Sequence, residues 1–216
     1  ISNFIDLYPP YNCNAINVLH VSSNNNYIYA SIYSCVGDAH WYLTKSTNAQ
    51  DNTPDWENLI VPRSDIQITG ITTSYTNPNL VWITYSGYDS DYKVFKSIDS
   101  GDNWSNYGDG LPNLPINCII YENGSNDGLF VGTDVGVYYR NGEMSQWEPF
   151  MEGLPNVQVN WLEINYTNKK IRAGTYGRGL WESSLPCINS SSQIEISTDM
   201  LWNNNLEINS DVIIKN

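Results

Sequence analysis

Short runs of alternating apolar and polar residues recur along the chain, each followed by a polar turn and a second apolar run. An alternation with a period of two predicts β-strands that bury one face. Four such runs open in the same way, at 16–21, 68–72, 116–121 and 159–164. Their starts lie about 52, 48 and 43 residues apart. A repeat of this length, built from strands, is typical of propeller blades.

Each opening strand is followed by a turn, a second strand and a third strand. The turns contain the Asn, Asp, Gly and Pro residues that favour chain reversal. The second strands are predicted at 27–31, 80–84, 129–133 and 171–175, and the third strands at 40–46, 92–97, 136–140 and 179–182. Three of the third strands lead to a tryptophan: Trp56, Trp104 and Trp147. We predict an all-β fold, a β-propeller of four-stranded antiparallel blades, with three blades and part of a fourth visible.

The turn before Trp104 carries the most specific pattern in the chain, S-x-D-x-G-x-x-W over residues 97–104. The carboxylate of Asp99 can accept hydrogen bonds from backbone N–H groups, and Gly101 can adopt a positive φ. Trp104 then enters the next strand as a large apolar anchor. We predict that Ser97, Asp99, Gly101 and Trp104 have structural roles.

This pattern resembles the Asp-box (BNR) hairpin of sialidases, sortilin-type receptors and xyloglucanase-like propellers, where it joins the third and fourth strands of a blade. The other copies have decayed. Residues 45–56 keep the Lys-Ser entry and the tryptophan around a longer loop, whereas residues 140–147 lose both Ser and Asp. Because a catalytic residue would not be expected to vary in this way between copies, the motif is interpreted as a hairpin device.

Two further repeated segments extend the resemblance over roughly residues 15–185. Gly-Leu-Pro recurs at 110–112 and 153–155, and the hairpin at 131–138 is repeated at 173–182. In their residues and their order, these segments resemble the final blades of BNR propellers in large secreted bacterial proteins, particularly cargo of the type IX secretion system. The resemblance implies an extracellular or cell-surface location and makes the remainder of a longer chain the first expected partner.

The predicted domain boundary falls after Pro186. Residues 1–186 form the propeller blades, and residues 187–216 form a short β tail that leads into a further module. The fourth blade ends without its own outer strand and tryptophan. Two closures stay open: upstream sequence supplies further blades and the missing strand, or the segment 3–8 closes a small ring.

Net charge and cysteine spacing exclude several classes of function. A net charge of −13 argues against nucleic acid as a partner, since phosphate contacts need clustered Lys and Arg. No apolar run approaches the ~20 residues that span a bilayer. Four cysteines, Cys13, Cys35, Cys118 and Cys187, fit no zinc spacing. Cys118 is predicted to be a buried free thiol, and a bridge between Cys13 and Cys187 stays open for an oxidising compartment.

Candidate ligand-binding residues lie on the rim formed by the hairpins between second and third strands. Aromatic faces beside carboxylates are typical of sugar recognition, although the same residues are common in the loops of any acidic protein. The candidates are Tyr33, His40, Tyr85, Tyr88, Tyr176 and Arg178, with carboxylates at Asp38, Asp89, Asp91 and Asp134.

Three functions stay open, and the leading one is a non-catalytic propeller module that serves as a scaffold or as a binding platform for glycan or protein. The alternative is the C-terminal part of a BNR-type glycoside hydrolase, xyloglucanase-like or sialidase-like, with Asp89 and Asp134 as its carboxylates. A sialidase also needs an arginine cluster, and only Arg63 and Arg178 fall near this rim. The third hypothesis is a sortilin-like peptide receptor.

Other chemistry finds little support in the sequence. Two histidines, His20 and His40, form no plausible triad. We expect no cofactor and no metal site. Calcium remains a minor alternative at residues 89–91 or 99–102, although neither segment continues with the ligand spacing of an EF-hand.

Overall fold

The computed structural model describes residues 15–23, 26–34, 40–51 and 53–186. The closing segment 3–8, Asp38, the β tail and the cysteines other than Cys118 lie outside these residues. The chain divides into two compact units, Ile1–Leu185 and Pro186–Asn216. All described residues except Pro186 belong to the first unit.

Within the described residues, fifteen strands form four antiparallel sheets in which strands pair in chain order. The first three sheets have four strands each: β1 (Ala15–Val21), β2 (Ile28–Ser34), β3 (His40–Ser46) and β4 (Glu57–Leu59); β5 (Ile68–Thr73), β6 (Val81–Tyr85), β7 (Val94–Ser97) and β8 (Ser105–Asn106); β9 (Ile116–Glu122), β10 (Gly128–Thr133), β11 (Gly136–Arg140) and β12 (Glu148–Pro149). As far as residue 186, the last one described, the fourth sheet has three strands, β13 (Val159–Asn165), β14 (Lys170–Thr175) and β15 (Gly179–Ser184). This meander of repeated sheets confirms the predicted all-β propeller architecture.

The first strand of every sheet carries a β-bulge at its second or third residue. Pairing with the second strand skips Asn17, Thr69, Asn117 and Asn160. A bulged residue leaves the ladder and redirects its side chain. Asn17 donates from Nδ2 to the carbonyl of Ile68 at 2.8 Å, and Thr69 donates from Oγ1 to the carbonyl of Ile116 at 2.6 Å. In the first two blades the bulge therefore links the first strand of the blade to the first strand of the next.

Three apolar cores fill the three junctions between successive blades. The first joins Tyr29 and Leu43 of one blade to Ile68 and Ile83 of the next. Trp82 is fully buried in the second core, and Phe130 is fully buried in the third. Each blade therefore buries its apolar residues against its neighbours, as stacked repeat units do.

The three repeat tryptophans occupy equivalent positions, each one residue before the fourth strand of its blade. Trp56 precedes β4, Trp104 precedes β8 and Trp147 precedes β12. Trp147 is the most deeply buried at 1% exposure and belongs to the core between the second and third blades. Trp104 is partly buried against the core between the first and second blades. The tryptophans are thus anchors of the outer strands.

We predict that Trp147→Ala lowers the free energy of unfolding by about 3–5 kcal/mol, because it removes a buried aromatic side chain and leaves a cavity. Urea unfolding followed by circular dichroism measures the loss. Trp161→Ala is the matched control, since Trp161 is 65% exposed. Equal losses in the two variants would contradict the assignment of Trp147 as an anchor.

Candidate functional site

The hairpins β2–β3, β6–β7, β10–β11 and β14–β15 share one rim of the blades, and the turns that follow the third strands lie on the opposite rim. This division follows from the antiparallel order of the strands. We call the first the hairpin rim and the second the turn rim. The predicted ligand-binding residues all lie on or near the hairpin rim.

Arg63 forms two ion pairs, one with Asp89 of the β6–β7 hairpin and one with Asp65 of its own link between β4 and β5. Its Nη1 lies 2.6 Å from Oδ2 of Asp89, and its Nε lies 2.7 Å from Oδ1 of Asp65. The guanidinium also lies 4.8 Å from the ring centroid of Tyr92, within cation–π range. The backbone N–H of Asp91 and the guanidinium of Arg63 lower the pKa of Asp89. Asp89 is therefore a charged, hydrogen-bonded carboxylate rather than a proton donor at neutral pH.

Lys93 closes the same hairpin from the inside. Its side chain is buried, and its Nζ donates to the carbonyl of Gly87 at 2.8 Å. Burial lowers the pKa of this lysine. Asp89 accepts a hydrogen bond from the backbone N–H of Asp91, and Asn106 donates to the carbonyl of Asp91. The hairpin is thereby fixed around its tip, where Tyr88 is 67% exposed.

Tyr85 lies beneath this hairpin rather than on its surface. Its ring is fully buried and meets the rings of Tyr92 and Phe95 edge-on. Its hydroxyl accepts a hydrogen bond from the backbone N–H of Arg63 at 3.4 Å. Burial raises the pKa of Tyr85, so the hydroxyl stays neutral. Tyr88, not Tyr85, is the tyrosine that this hairpin presents to solvent.

The first blade supplies two aromatic pairs at the hairpin rim. The rings of Tyr33 and Trp41 have centroids 5.0 Å apart, and those of His40 and Tyr42 are 5.8 Å apart. The backbone N–H of Trp41 donates to the carbonyl of Ser64 at 2.6 Å. This bond ties β3 to the link that leads to the second blade.

The remaining candidates lie on the third and fourth blades. Asp134, in the β10–β11 hairpin, accepts a hydrogen bond at 3.1 Å from Nδ2 of Asn117, the bulge residue of β9. Tyr176 is 73% exposed, and its backbone N–H donates to the carbonyl of Gln158. The carbonyl of Arg178 accepts a hydrogen bond from Nε1 of Trp181.

The structure thus unites some candidates and separates others. Tyr85, Tyr88 and Asp89 belong to one hairpin, whereas Asp134 lies one blade further along and Tyr176 two blades further. Within the part of the chain described, no three His, Cys, Asp or Glu side chains converge as metal ligands. Nor does any helix among those residues reach the length and apolarity that crossing a membrane requires.

Two partly buried groups outside the rim have simple structural roles. Nε2 of His20 forms a hydrogen bond of 2.9 Å with Oγ1 of Thr73. Burial lowers the pKa of His20 to about 4. Cys118 is a free thiol, as predicted, although it is partly rather than fully buried, and this burial raises its pKa to about 12. Neither residue is poised for catalysis.

The turn rim is built by the side chains predicted to be structural. Ser97 donates from Oγ to Asp99 Oδ1 at 2.8 Å and accepts from the backbone N–H of Gly101 at 2.8 Å. Asp99 also accepts from the backbone N–H and from Nδ2 of Asn103. These bonds lower the pKa of Asp99 to about 2. Gly101 has a φ of 98°, and a Cβ there would lie 2.6 Å from Leu59.

The first blade performs the same capping with Asn48 in place of an aspartate. Oδ1 of Asn48 accepts from Oγ of Ser46 and from the backbone N–H of Asp55. Its Nδ2 donates to the carboxylates of Asp51 and Asp55, at 3.0 and 3.4 Å. An aspartate at position 48 would face two like charges, which explains the amide.

Comparisons with solved structures show the fold. The chain is similar to the extracellular domain of a one-component system from B. thetaiotaomicron, with 19% identity over 78% of this chain and 21% of that one, and a TM-score of 0.55. It is similar to the GH74 xyloglucanase from Xanthomonas campestris, with 12% identity over 78% of this chain and 29% of that one, and a TM-score of 0.56. It is also similar to YCF48 bound to the D1 peptide, with 16% identity over 78% of this chain and 50% of that one, and a TM-score of 0.52.

The likeness lies in the β-propeller fold, because identities are low. The chain spans between about a fifth and a half of the length of these proteins. No protein-family model and no curated protein matches the sequence. The finer resemblance to BNR repeats and to type IX cargo therefore stays a prediction.

We predict that Asp99→Asn makes the melting temperature depend less on pH between pH 2 and pH 4. The folded pKa of Asp99, about 2, lies below its ordinary value of 3.8. Its stabilising contribution is therefore complete above about pH 4 and is lost as the pH falls towards 2. Thermal unfolding between pH 2 and pH 7 measures the slope.

The reciprocal variant is Asn48→Asp, which replaces an amide donor by a carboxylate beside Asp51 and Asp55. We expect it to lower the melting temperature at pH 7 and to recover part of the loss at pH 3, where the added charge is partly neutralised. An unchanged melting temperature at pH 7 would contradict the role given to Asn48.

Proposed function

We propose that this chain is a non-catalytic β-propeller module of a secreted or cell-surface protein and that it binds a glycan or protein ligand at the hairpin rim. The remainder of a longer polypeptide would be its first partner. The observation that carries the proposal is the β6–β7 hairpin, which is fixed by Arg63 and Lys93 and presents Tyr88 at its tip.

Rigid hairpins with exposed aromatic tips suit recognition. A ligand that meets an ordered loop loses less conformational freedom on binding, so more of the contact energy appears as affinity. Tyr88 and Tyr176 offer flat faces for stacking, and Asp91 and Arg178 offer charge beside them. The peptide bound by YCF48 is consistent with polypeptide ligands for this fold, and the extracellular domain among the similar structures is consistent with the proposed location.

The geometry of Asp89 argues against a catalytic role. A glycoside hydrolase needs one carboxyl group with a raised pKa to protonate the leaving oxygen. Asp89 is paired with Arg63, and its pKa is lowered instead. The Arg63 fork is also occupied by Asp65, so it does not await a substrate carboxylate.

The alternative is a hydrolase of the BNR type that uses Asp134. Asp134 accepts a hydrogen bond from Asn117 and has no cation paired with it among the described residues. The GH74 xyloglucanase shares the fold and gives this alternative its substrate class. A sortilin-like receptor remains a third hypothesis, with a peptide as the ligand.

A glycan and peptide panel with the full chain tests the proposal. We predict binding without turnover, a loss of binding of at least tenfold in Tyr88→Ala, and no loss in Tyr75→Ala, which removes an exposed tyrosine beyond the end of β5 on the opposite rim. Hydrolysis of any glycan that Asp134→Asn abolishes would overturn the non-catalytic assignment. Hydrolysis that Asp89→Asn abolishes would do the same and would also contradict the structural reading of its ion pair.

A further inference from the structure

The dipeptide Asn-Gly occurs twice in the chain, at 123–124 and at 141–142. Glycine after asparagine favours deamidation, because the missing Cβ lets the backbone nitrogen of the glycine approach the asparagine side chain. The reaction requires that this nitrogen is released from hydrogen bonds and that the side chain can turn towards it. Since the dipeptide is the same at both sites, a difference between them has to come from the fold.

Gly142 is held by a hydrogen bond that opposes the reaction. Its backbone N–H donates to the carbonyl of Asn126 at 2.7 Å. The side chain of Asn141 is also fixed, since its Oδ1 accepts from the backbone N–H groups of Glu143 and Met144, at 3.0 and 3.2 Å. Attack on Asn141 therefore first has to break these bonds.

Gly124 lies in the turn between β9 and β10 and has no such restraint. It is exposed, with a φ of 86°. Apart from its chain neighbours, no described residue has an atom within 4 Å of the position that a Cβ would occupy. Within the same residues, no acceptor receives its backbone N–H, and no hydrogen bond holds the side chain of Asn123. The nucleophile and the amide that it attacks are therefore both accessible.

We propose that Asn123 is a site of spontaneous deamidation in the folded protein and that the fold protects Asn141. The backbone nitrogen of Gly124 loses its proton to solvent and attacks Cγ of Asn123. The new N–Cγ bond closes a succinimide ring, and the Cγ–Nδ2 bond breaks as Nδ2 takes up a proton and leaves as ammonia. Water then opens the ring, at Cγ to give aspartate or at the backbone carbonyl to give isoaspartate. Neither step needs an oxidant or a reductant.

Both products change the β9–β10 turn. Each adds a negative charge beside Glu122 in the sequence, a carboxyl group that is only 1% exposed. Ser125 closes the turn, because its Oγ donates to the carbonyl of Glu122 at 2.6 Å and accepts from the backbone N–H of Gly128 at 2.7 Å. Isoaspartate adds a carbon to the backbone between Glu122 and Ser125. The isoaspartate form therefore loses this closure.

The same turn contacts the fourth blade. The backbone N–H of Asn123 donates to Oη of Tyr166 at 2.9 Å, and that hydroxyl donates to the carbonyl of Tyr121 at 3.4 Å. Tyr166 directly follows β13, so these bonds join the ends of the first strands of the third and fourth blades. Because isoaspartate changes the backbone at Asn123 itself, its formation loosens this junction.

Peptide mapping by mass spectrometry, after incubation of the full chain at pH 8, tests the proposal. We expect Asn123 to deamidate at least tenfold faster than Asn141, since only Asn141 first has to lose hydrogen bonds. Incubation in urea is the matched control, because unfolding removes the bonds around Gly142. It should raise the rate at Asn141 and bring it close to the rate at Asn123.

Two variants test the effect on the junction. Asn123→Ala cannot deamidate at this position, so it should keep its melting temperature during an incubation that lowers that of the parent. Asn123→Asp carries the added charge on an unchanged backbone, and it should melt at a higher temperature than the isoaspartate form isolated from the incubated parent. Labelling by a protein isoaspartate methyltransferase distinguishes the two products.

Equal rates at the two sites in the folded chain would overturn the proposal, as would a faster reaction at Asn141. So would an Asn123 that reacts in urea but stays unmodified in the folded chain, because the fold would then protect both sites. If incubated Asn123→Ala lost as much melting temperature as the parent, the assigned role of the β9–β10 turn would be wrong.

Discussion

Every blade depends on its neighbours to bury the faces of its sheet. A sheet of short strands has too little apolar surface of its own to be stable in water. The bulges in the first strands of the first two blades join the sheets, since Asn17 and Thr69 reach from them to the carbonyls of Ile68 and Ile116 in the next blade. The cores that fill the junctions can then form only in one register. Stability is therefore a property of junctions rather than of single blades.

The two rims follow from this arrangement and have different roles. The turn rim holds third strands to fourth strands through side-chain caps. Asp99 supplies the cap in the second blade and Asn48 in the first, and in the third blade Asn141 accepts hydrogen bonds from the backbone N–H groups of Glu143 and Met144. The hairpin rim does not hold third strands to fourth strands, so its loops can vary and present residues such as Tyr88. Function is expected where the repeat is least constrained.

Much of this could be predicted from the sequence, because periodicity is a local signal. The strand order, the blade period and the positions of the repeat tryptophans are all readable from alternation and turn residues. Contacts between residues distant in sequence could not be predicted in this way. No feature of the sequence identifies Arg63 as the ion-pair partner of Asp89, or Tyr85 as buried beneath the hairpin. The cap at Asn48 could not be recognised from the sequence pattern, because asparagine forms the hydrogen bonds of the cap without the aspartate that the pattern contains.

Native-state hydrogen exchange tests most directly whether junctions stabilise the blades. Local opening free energies vary with burial and packing, so amide protection should follow the junctions. We predict the slowest exchange in β6 and β10, whose residues are all buried between neighbouring blades, and exchange at least tenfold faster in β14 and β15, whose residues are more exposed. Uniform protection across all four blades would contradict the account.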